Sequence, residues 1–321
     1  MQTPEEEKFF SIFYPYSREK FSTAREKGTR FVHYTSADAA MCILKNKEVW
    51  MRKSSCMNDF TEVQYGLKCL SEAYQKSGFK AILDRIFDGL SAEIEQLFDS
   101  WTFLIYADTY LTCFSEHEDR EDTIGRLSMW RAYGGETGVA LVLNNSPFIT
   151  PSETLKAYSS PVAYLNAQVF AERFGMIATN IEKEAEFVRQ QGREAIKNRV
   201  FAMFRFAAVS TKHPGFAEEK EWRIVFSPSL AKSDHLTKSI EVVRGIPQPV
   251  YKIPLVNIPA KEGQDGLSGI EIPEIIERII IGPTRYPLAL GEAFLDLLQR
   301  AGMSQEEAGK KIVSSDIPLR Q

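Results

Sequence analysis

The sequence predicts an α+β fold with a mixed, split β-sheet and two helical insertions. Strand-like runs and helical segments are interspersed without a regular β-α-β rhythm, which argues against a doubly wound parallel sheet. Two charged segments near residues 60–100 and 166–209 carry helical patterns, and neither a repeat nor a low-complexity linker divides the 321 residues. We therefore predict an N-terminal helical lead-in over residues 1–30 and a single domain over residues 31–321.

The predicted strands of the first half are short runs of aromatic and β-branched residues. Residues 31–36 predict a first strand, followed by a capped helix over residues 39–45. Residues 49–55 predict a second strand. Apolar residues then recur at spacings of three and four between residues 82 and 97, which indicates an amphipathic helix. Residues 102–117 predict a further strand or hairpin arm.

The second half continues the mixed pattern. Residues 138–143 predict a strand after a glycine pair, and residues 219–228 predict another strand after the second helical block. Residues 250–256 and 276–282 are strand-like as well, and residues 288–301 predict a helix. Strands therefore occur on both sides of each helical block, as expected for one mixed sheet.

Bulk properties indicate a globular protein outside the membrane. Hydrophobic residues make up 44% of the chain and the net charge is −4, so no overall basic balance attracts it to nucleic acid or anionic lipid. The acidic N-terminus has no signal pattern, and no apolar run reaches the roughly 18 residues of a membrane span. We predict a cytoplasmic protein without a membrane partner.

Two glutamates and an arginine dominate one predicted strand. Glu219, Glu221 and Arg223 alternate along it, so their side chains are expected on one face. Trp222 and Ile224 would face the core. Paired carboxylates beside an arginine suit acid/base or oxocarbenium-ion chemistry. A solvated strand face is the structural alternative, with Arg223 holding Glu221 ionised.

A second group of candidates lies beside the glycine pair. Trp130, Arg131 and Tyr133 offer two aromatic rings to stack on a planar ligand and a guanidinium for phosphate. The alternative is a helix end packed on the core, stopped by Gly134 and Gly135. These glycines form neither a dinucleotide-binding fingerprint nor a Walker loop.

Other candidates stand at strand ends. Ser115 follows Cys113 and Phe114 at the end of a predicted strand, a usual place for functional side chains. Asn58 and Asp59 are predicted to form an Asx turn, with a ligand contact as the functional alternative. Cys113 has no surrounding cysteine-hydrolase motif, so we interpret it as a core thiol. The spacing of cysteines and histidines does not indicate a metal site, and no metal is expected.

In chain order, the segments VHYTS, ND, LTCFSE, MWRAYGGETG, EKEWRIV and IIIGP resemble a large bacterial family, the domain-of-unknown-function family number 2971. The resemblance runs from about residue 31 to residue 320, and the order and spacing carry it more than any one segment. In site layout the pattern is similar to ADP-ribosyltransferases of the His-Tyr-Glu type. That similarity implies NAD as the substrate and an ADP-ribosyltransferase-like fold.

The resemblance also implies residue roles. The imidazole of His33 would hydrogen-bond the adenosine ribose of NAD, Tyr133 would be the aromatic residue of the site, and Glu221 would hold the nicotinamide ribose. Glu219 would orient the acceptor, which is protein, nucleic acid or water. The further ligand contacts expected in this cleft are Tyr34, Thr35, Ser115, Trp130, Arg131, Arg223, Asn58 and Asp59.

Three functions remain open from the sequence. The first is an NAD-dependent ADP-ribosyltransferase-like enzyme. Because members of the resembled family look like frequent neighbours of phage-defence and toxin systems, the resemblance implies a toxin or defence effector. The second is a binding module that senses a nucleotide or a phage product without turnover. The third is a nuclease, which would need carboxylates gathered around Mg²⁺.

Overall fold

A computed structural model describes residues 3–56, 60–150, 152–261 and 265–318 of the chain. The helices of these residues are α1 Pro4–Phe13, α2 Pro15–Glu26, α3 Ala37–Asn46, α4 Phe60–Lys76, α5 Phe79–Ile86, α6 Leu90–Ala107, α7 Leu127–Met129, α8 Ser146–Ile149, α9 Ala167–Lys183, α10 Ala185–Gln190, α11 Arg193–Val209, α12 Ile272–Ile275, α13 Pro287–Arg300 and α14 Gln305–Lys311. The strands are β1 Arg30–Ser36, β2 Glu48–Lys53, β3 Tyr110–His117, β4 Gly138–Leu143, β5 Tyr158–Pro161, β6 Ala163–Tyr164, β7 Thr211–Lys212, β8 Glu221–Phe226, β9 Thr237–Val243, β10 Ile246–Pro254, β11 Ile276–Ile281 and β12 Ile312–Ser314.

The main sheet branches at β3. Strands β1 and β2 both pair with β3, as does β8, and β5 pairs with the far side of β8. The order β12-β11-β4-β1 extends from β3 on one side, and β2-β10-β9 extends on the other. The pairing of β11 with β12 is parallel, and the other pairings within this sheet are antiparallel. The fold is therefore α+β with a mixed sheet, as predicted.

The largest hydrophobic cluster covers one face of the sheet. Because alternate residues of a strand face opposite sides, Phe31 of β1, Leu141 of β4 and Trp222 of β8 point to this face together. Helices α3 and α13 close the layer with Leu44 and Phe294. Burying such side chains contributes about 1.5–3 kcal/mol each to folding.

Helices that are far apart in the sequence share a second hydrophobic cluster. In α9 the residues Phe170, Phe174, Ala178 and Ile181 are all buried, at spacings of four, four and three. The side chain of Asn166 caps the start of this helix by accepting a backbone N–H. Residues of α1, α4, α5 and α11 belong to the same cluster, so the two helical blocks and the N-terminal helix pack together.

The prediction of strand over residues 102–107 is wrong. These residues are the last turns of α6, and the strand begins only at Tyr110. Their aromatic and β-branched side chains favour a strand locally, but Ile105 packs in a cluster with Val63 of α4 and Val209 of α11. Helix packing has therefore overridden local propensity. No helix in the described part of the chain is both long and apolar enough to cross a bilayer.

Candidate functional site

Strand β8 carries the centre of the candidate site. Glu221 and Arg223 point to the face opposite Trp222, as the alternation predicts. Across the ladder, Ser115 of β3 stands opposite Glu221, and Cys113 stands opposite Arg223. All of these side chains except Trp222 therefore share one face of the sheet.

Glu219 lies on a different element from the predicted one. It does not lie on the strand but ends a short 3₁₀ turn, Pro214–Glu219, and Lys220 follows in the left-handed region with φ 45°. The prediction that Glu219 and Glu221 share a strand face is therefore wrong, because the chain turns between them. Their carboxylates nevertheless meet, since both bind the ammonium group of Lys212.

Lys212 is the hub of the charged network. Its Nζ lies 2.6 Å from Glu219 Oε2, 2.7 Å from Glu221 Oε2 and 2.8 Å from Glu62 Oε1. Only 1% of its side chain is exposed. It ends β7, which pairs in parallel with β6, while Glu62 comes from α4. Lys212 and Glu62 were not predicted from the sequence, because no local pattern links Glu62 to residues so far along the chain.

Arg223 binds the buried side of the network. Its Nε lies 2.7 Å from Glu221 Oε1, its Nη2 lies 2.5 Å from Glu62 Oε2, and its Nη1 donates to the carbonyl of Val209. The guanidinium is almost wholly buried, yet each of these donors has an acceptor. A buried charge is tolerable only when it is compensated in this way. Arg223 is thus part of the interior of the site and not of its rim.

The rim of the network contains a tyrosine hydroxyl and the more exposed glutamate. Tyr133 donates to Glu219 Oε1 at 3.2 Å, and Glu219 keeps 17% of its side chain exposed against 6% for Glu221. The Tyr164 hydroxyl accepts the backbone N–H of Glu221 at 2.8 Å and fixes the start of β8. A molecule approaching from solvent would therefore meet Glu219 and Tyr133 before Glu221.

The two glutamates differ in acidity for physical reasons. Burial acts to raise the pKa of Glu221, but the charges of Arg223 and Lys212 outweigh burial and lower this pKa to about 2. For Glu219, burial dominates and raises the pKa above its usual value, in spite of Lys212. One carboxylate is therefore held ionised, while its neighbour binds a proton more readily.

His33 lies on the other face of the sheet. In β1 it alternates with Val32, which stands opposite Ser115, and with Tyr34. Its ring centroid is 5.4 Å from that of Phe114, and its Nδ1 lies 2.9 Å from the Cys113 carbonyl oxygen. Burial lowers the pKa of His33. The predicted cleft that joins His33 to Glu221 is not formed, because strand alternation turns the imidazole away.

Tyr34 and Trp130 belong to a small hydrophobic cluster on the face of Glu221. Both are buried, their rings meet edge to face, and the Tyr34 hydroxyl accepts the backbone N–H of Arg126. Thr35 shares the face of His33, and Arg131 is exposed. Packing on the core therefore accounts for Trp130, as the structural alternative predicted, and also for Tyr34. Asn58 and Asp59 lie outside the described residues.

The fold and the site together define an α+β protein with a buried lysine–arginine–glutamate network on one face of a branched mixed sheet. Residues 129–224 match the model of a family described as a protein of unknown function (DUF2971), so this segment is similar to that family. The match confirms the predicted resemblance to this family over residues 129–224, and the matched segment contains Tyr133, Lys212, Glu219, Glu221 and Arg223. Neither the curated proteins nor the solved structures provide a match to the chain.

Proposed function

We propose that the chain is an NAD-dependent, ADP-ribosyltransferase-like enzyme in which Glu219 is the carboxylate that contacts the substrate. The observation that carries this proposal is the pair Glu219 and Glu221, which bind one ammonium group while their pKa values are driven apart. Neighbouring carboxyl groups of unequal acidity are typical of sites that combine acid/base work with stabilisation of positive charge.

The chemistry needs one bond to break and one to form. The bond between ribose C1′ and the nicotinamide nitrogen breaks, its electron pair leaves with nicotinamide, and positive charge develops on the ribose. A lone pair of the acceptor then forms the new bond to C1′, and the acceptor releases a proton. Glu219 would stabilise the developing charge and receive that proton, which its raised pKa favours.

The other members of the network would position Glu219. Lys212 holds Glu219 Oε2, and Tyr133 holds Glu219 Oε1, so the carboxylate has a fixed orientation. Glu221 and Arg223 are too deeply buried to meet a substrate first. Glu221 binds Lys212, and Arg223 in turn binds Glu221. This assignment reverses the roles expected from the resemblance, in which Glu221 contacts the ribose.

The nuclease alternative gains no support from this network. The ammonium of Lys212 already occupies the point between the three carboxylates where a divalent cation would have to bind. The binding-module alternative uses the same rim and is separated from the enzyme by turnover.

Nicotinamide release from labelled NAD tests the proposal. The full-length protein is incubated with NAD in the presence of protein, nucleic acid or water alone as acceptor. We expect release that falls at least about 100-fold in Glu219→Gln, the range for loss of a general acid/base group. The control is Glu218→Gln, because Glu218 is exposed beside the same turn. Binding of NAD without any release of nicotinamide would favour the sensor. The absence of both NAD binding and nicotinamide release would refute the proposal.

A further inference from the structure

We infer that a second site, separate from Glu219, binds an apolar ligand through a single anionic headgroup. The site is a cleft of about 1180 Å³ that borders α1, α2, α11 and the edge strand β5. Its volume exceeds the roughly 300–1,000 Å³ typical of small-molecule pockets. Neither Glu219 nor Glu221 is among the described residues that line it.

The key residue of the cleft is Arg205 of α11. It is 9% exposed, and its Nε is buried without a hydrogen-bond partner in the described structure. Its guanidinium carbon lies 4.8 Å from the ring centroid of Phe206, and no carboxylate of the described residues forms an ion pair with it. Arg223, which is 1% exposed, instead binds two glutamates. Arg205 therefore carries a charge that the described protein leaves uncompensated.

An uncompensated buried cation costs folding free energy. An anion that enters the cleft would remove that cost, and a carboxylate or phosphate matches the planar donor pattern of a guanidinium. The phenol of Tyr14 adds a polar group, since the positive charges of Arg199 and Arg205 act on its pKa while burial raises that pKa to about 12. The headgroup would therefore bind between α11 and Tyr14.

Much of the remaining wall of the cleft is apolar, while charged residues such as Glu19, Arg25 and Arg199 line other parts of it. Its walls include aromatic and aliphatic side chains that offer no hydrogen bond to a ligand, among them Phe21, Phe148, Ile224, Ile253, Leu267 and Ile275. A ligand that satisfies both parts has a hydrocarbon body and one negative charge. We assign the site to a fatty carboxylate or a molecule of the same chemistry, and this assignment does not depend on the proposed function.

Calorimetric titration with dodecanoate, below its micelle concentration, tests this site in the full-length protein. We expect saturable binding to the wild-type protein and at least tenfold weaker binding to Arg205→Met, which keeps an apolar side chain of similar length. Dodecanol should bind the wild-type protein at least tenfold more weakly than dodecanoate. The matched control is Arg189→Met, because Arg189 is an exposed arginine paired with Glu186.

Three results of the titrations would contradict an anion-binding site at Arg205. No dodecanoate binding, equal affinity for dodecanol and dodecanoate, or unchanged affinity in Arg205→Met would each overturn the inference. If Arg205→Met does not fold, the comparison of dodecanoate with dodecanol on the wild-type protein still decides. Glu219→Gln should bind dodecanoate like the wild-type protein, so failure at one site is distinguishable from failure at the other.

Discussion

At the scale of single residues, Lys212 determines whether the carboxylates can be buried together. Three glutamates surround its ammonium at 2.6–2.8 Å. Without the ammonium, Glu62, Glu219 and Glu221 would repel one another in a medium of low dielectric constant. The network is therefore stable only as a unit, and removing any one charge affects the others.

Lys212→Met should destabilise the protein strongly. Removing one partner of a buried ionic network costs about 3–5 kcal/mol, because the remaining charges stay buried. Urea unfolding at neutral pH measures this loss. The control Lys310→Met, at an exposed pair with Glu306, should change stability by less than about 0.5 kcal/mol. Equal effects of the two substitutions would contradict the role given to Lys212.

Glu221 should make stability depend on acid pH. Its folded-state pKa of about 2 lies below the ordinary value of 4.5, so the ionised group contributes stability that is fully present above about pH 4.5. This contribution to stability is lost as the pH falls from about 4.5 through the folded-state pKa of about 2. Unfolding free energies measured between pH 5 and pH 2.5 should fall less steeply in Glu221→Gln than in wild type. Identical slopes would show that Glu221 is not held ionised by its partners.

At the scale of elements, alternation along β1 decides which side chains can act together. The strand at residues 31–36 was predictable from its aromatic and β-branched residues, and the structure has it at Arg30–Ser36. The face on which His33 lies was not predictable. Val32 and Tyr34 on one face and Phe31 on the other are all buried, so the strand has apolar residues on both faces and its pattern does not identify the core side.

His33→Gln should therefore retain nicotinamide release within a few-fold of wild type, since the amide can replace the hydrogen bond to the Cys113 carbonyl. Tyr133→Phe, which removes the hydroxyl bound to Glu219, should lower the rate of nicotinamide release about tenfold or more. Rates for both variants under identical conditions provide the comparison. A larger loss in His33→Gln than in Tyr133→Phe would support the His-Tyr-Glu layout instead.

The contact between α4 and α11 places Glu62 in the network. Gly66 lies one turn after Glu62, and a Cβ at Gly66 would come within 2.2 Å of the Ala208 carbonyl oxygen. We expect Gly66→Ala to destabilise the protein by about 1–3 kcal/mol as the helices separate. Gly175→Ala, in α9 with open space around it, should instead be neutral or stabilising by up to about 1 kcal/mol. Thermal unfolding of both variants tests this pair.

At the scale of the whole molecule, the sequence was informative about the fold and less so about the site. Strands with β-branched runs and helices with regular apolar spacing were predictable, because those signals are local. The meeting of Lys212, Glu62 and Glu219 depends on the parallel pairing of β6 with β7 and on the packing of α4, neither of which leaves a local signal. The arginine–glutamate pair on β8 was predictable because its spacing is short.

In the proposed function, the rim formed by Glu219 and Tyr133 holds the nicotinamide ribose. A crystal structure of the full-length protein with a non-cleavable NAD analogue tests it most directly. We expect the ribose C1′ to lie against Glu219, with Tyr133 beside it and His33 outside the contact. An analogue bound instead on the face of His33, with Glu219 still closed by Lys212 and Tyr133, would contradict the claim.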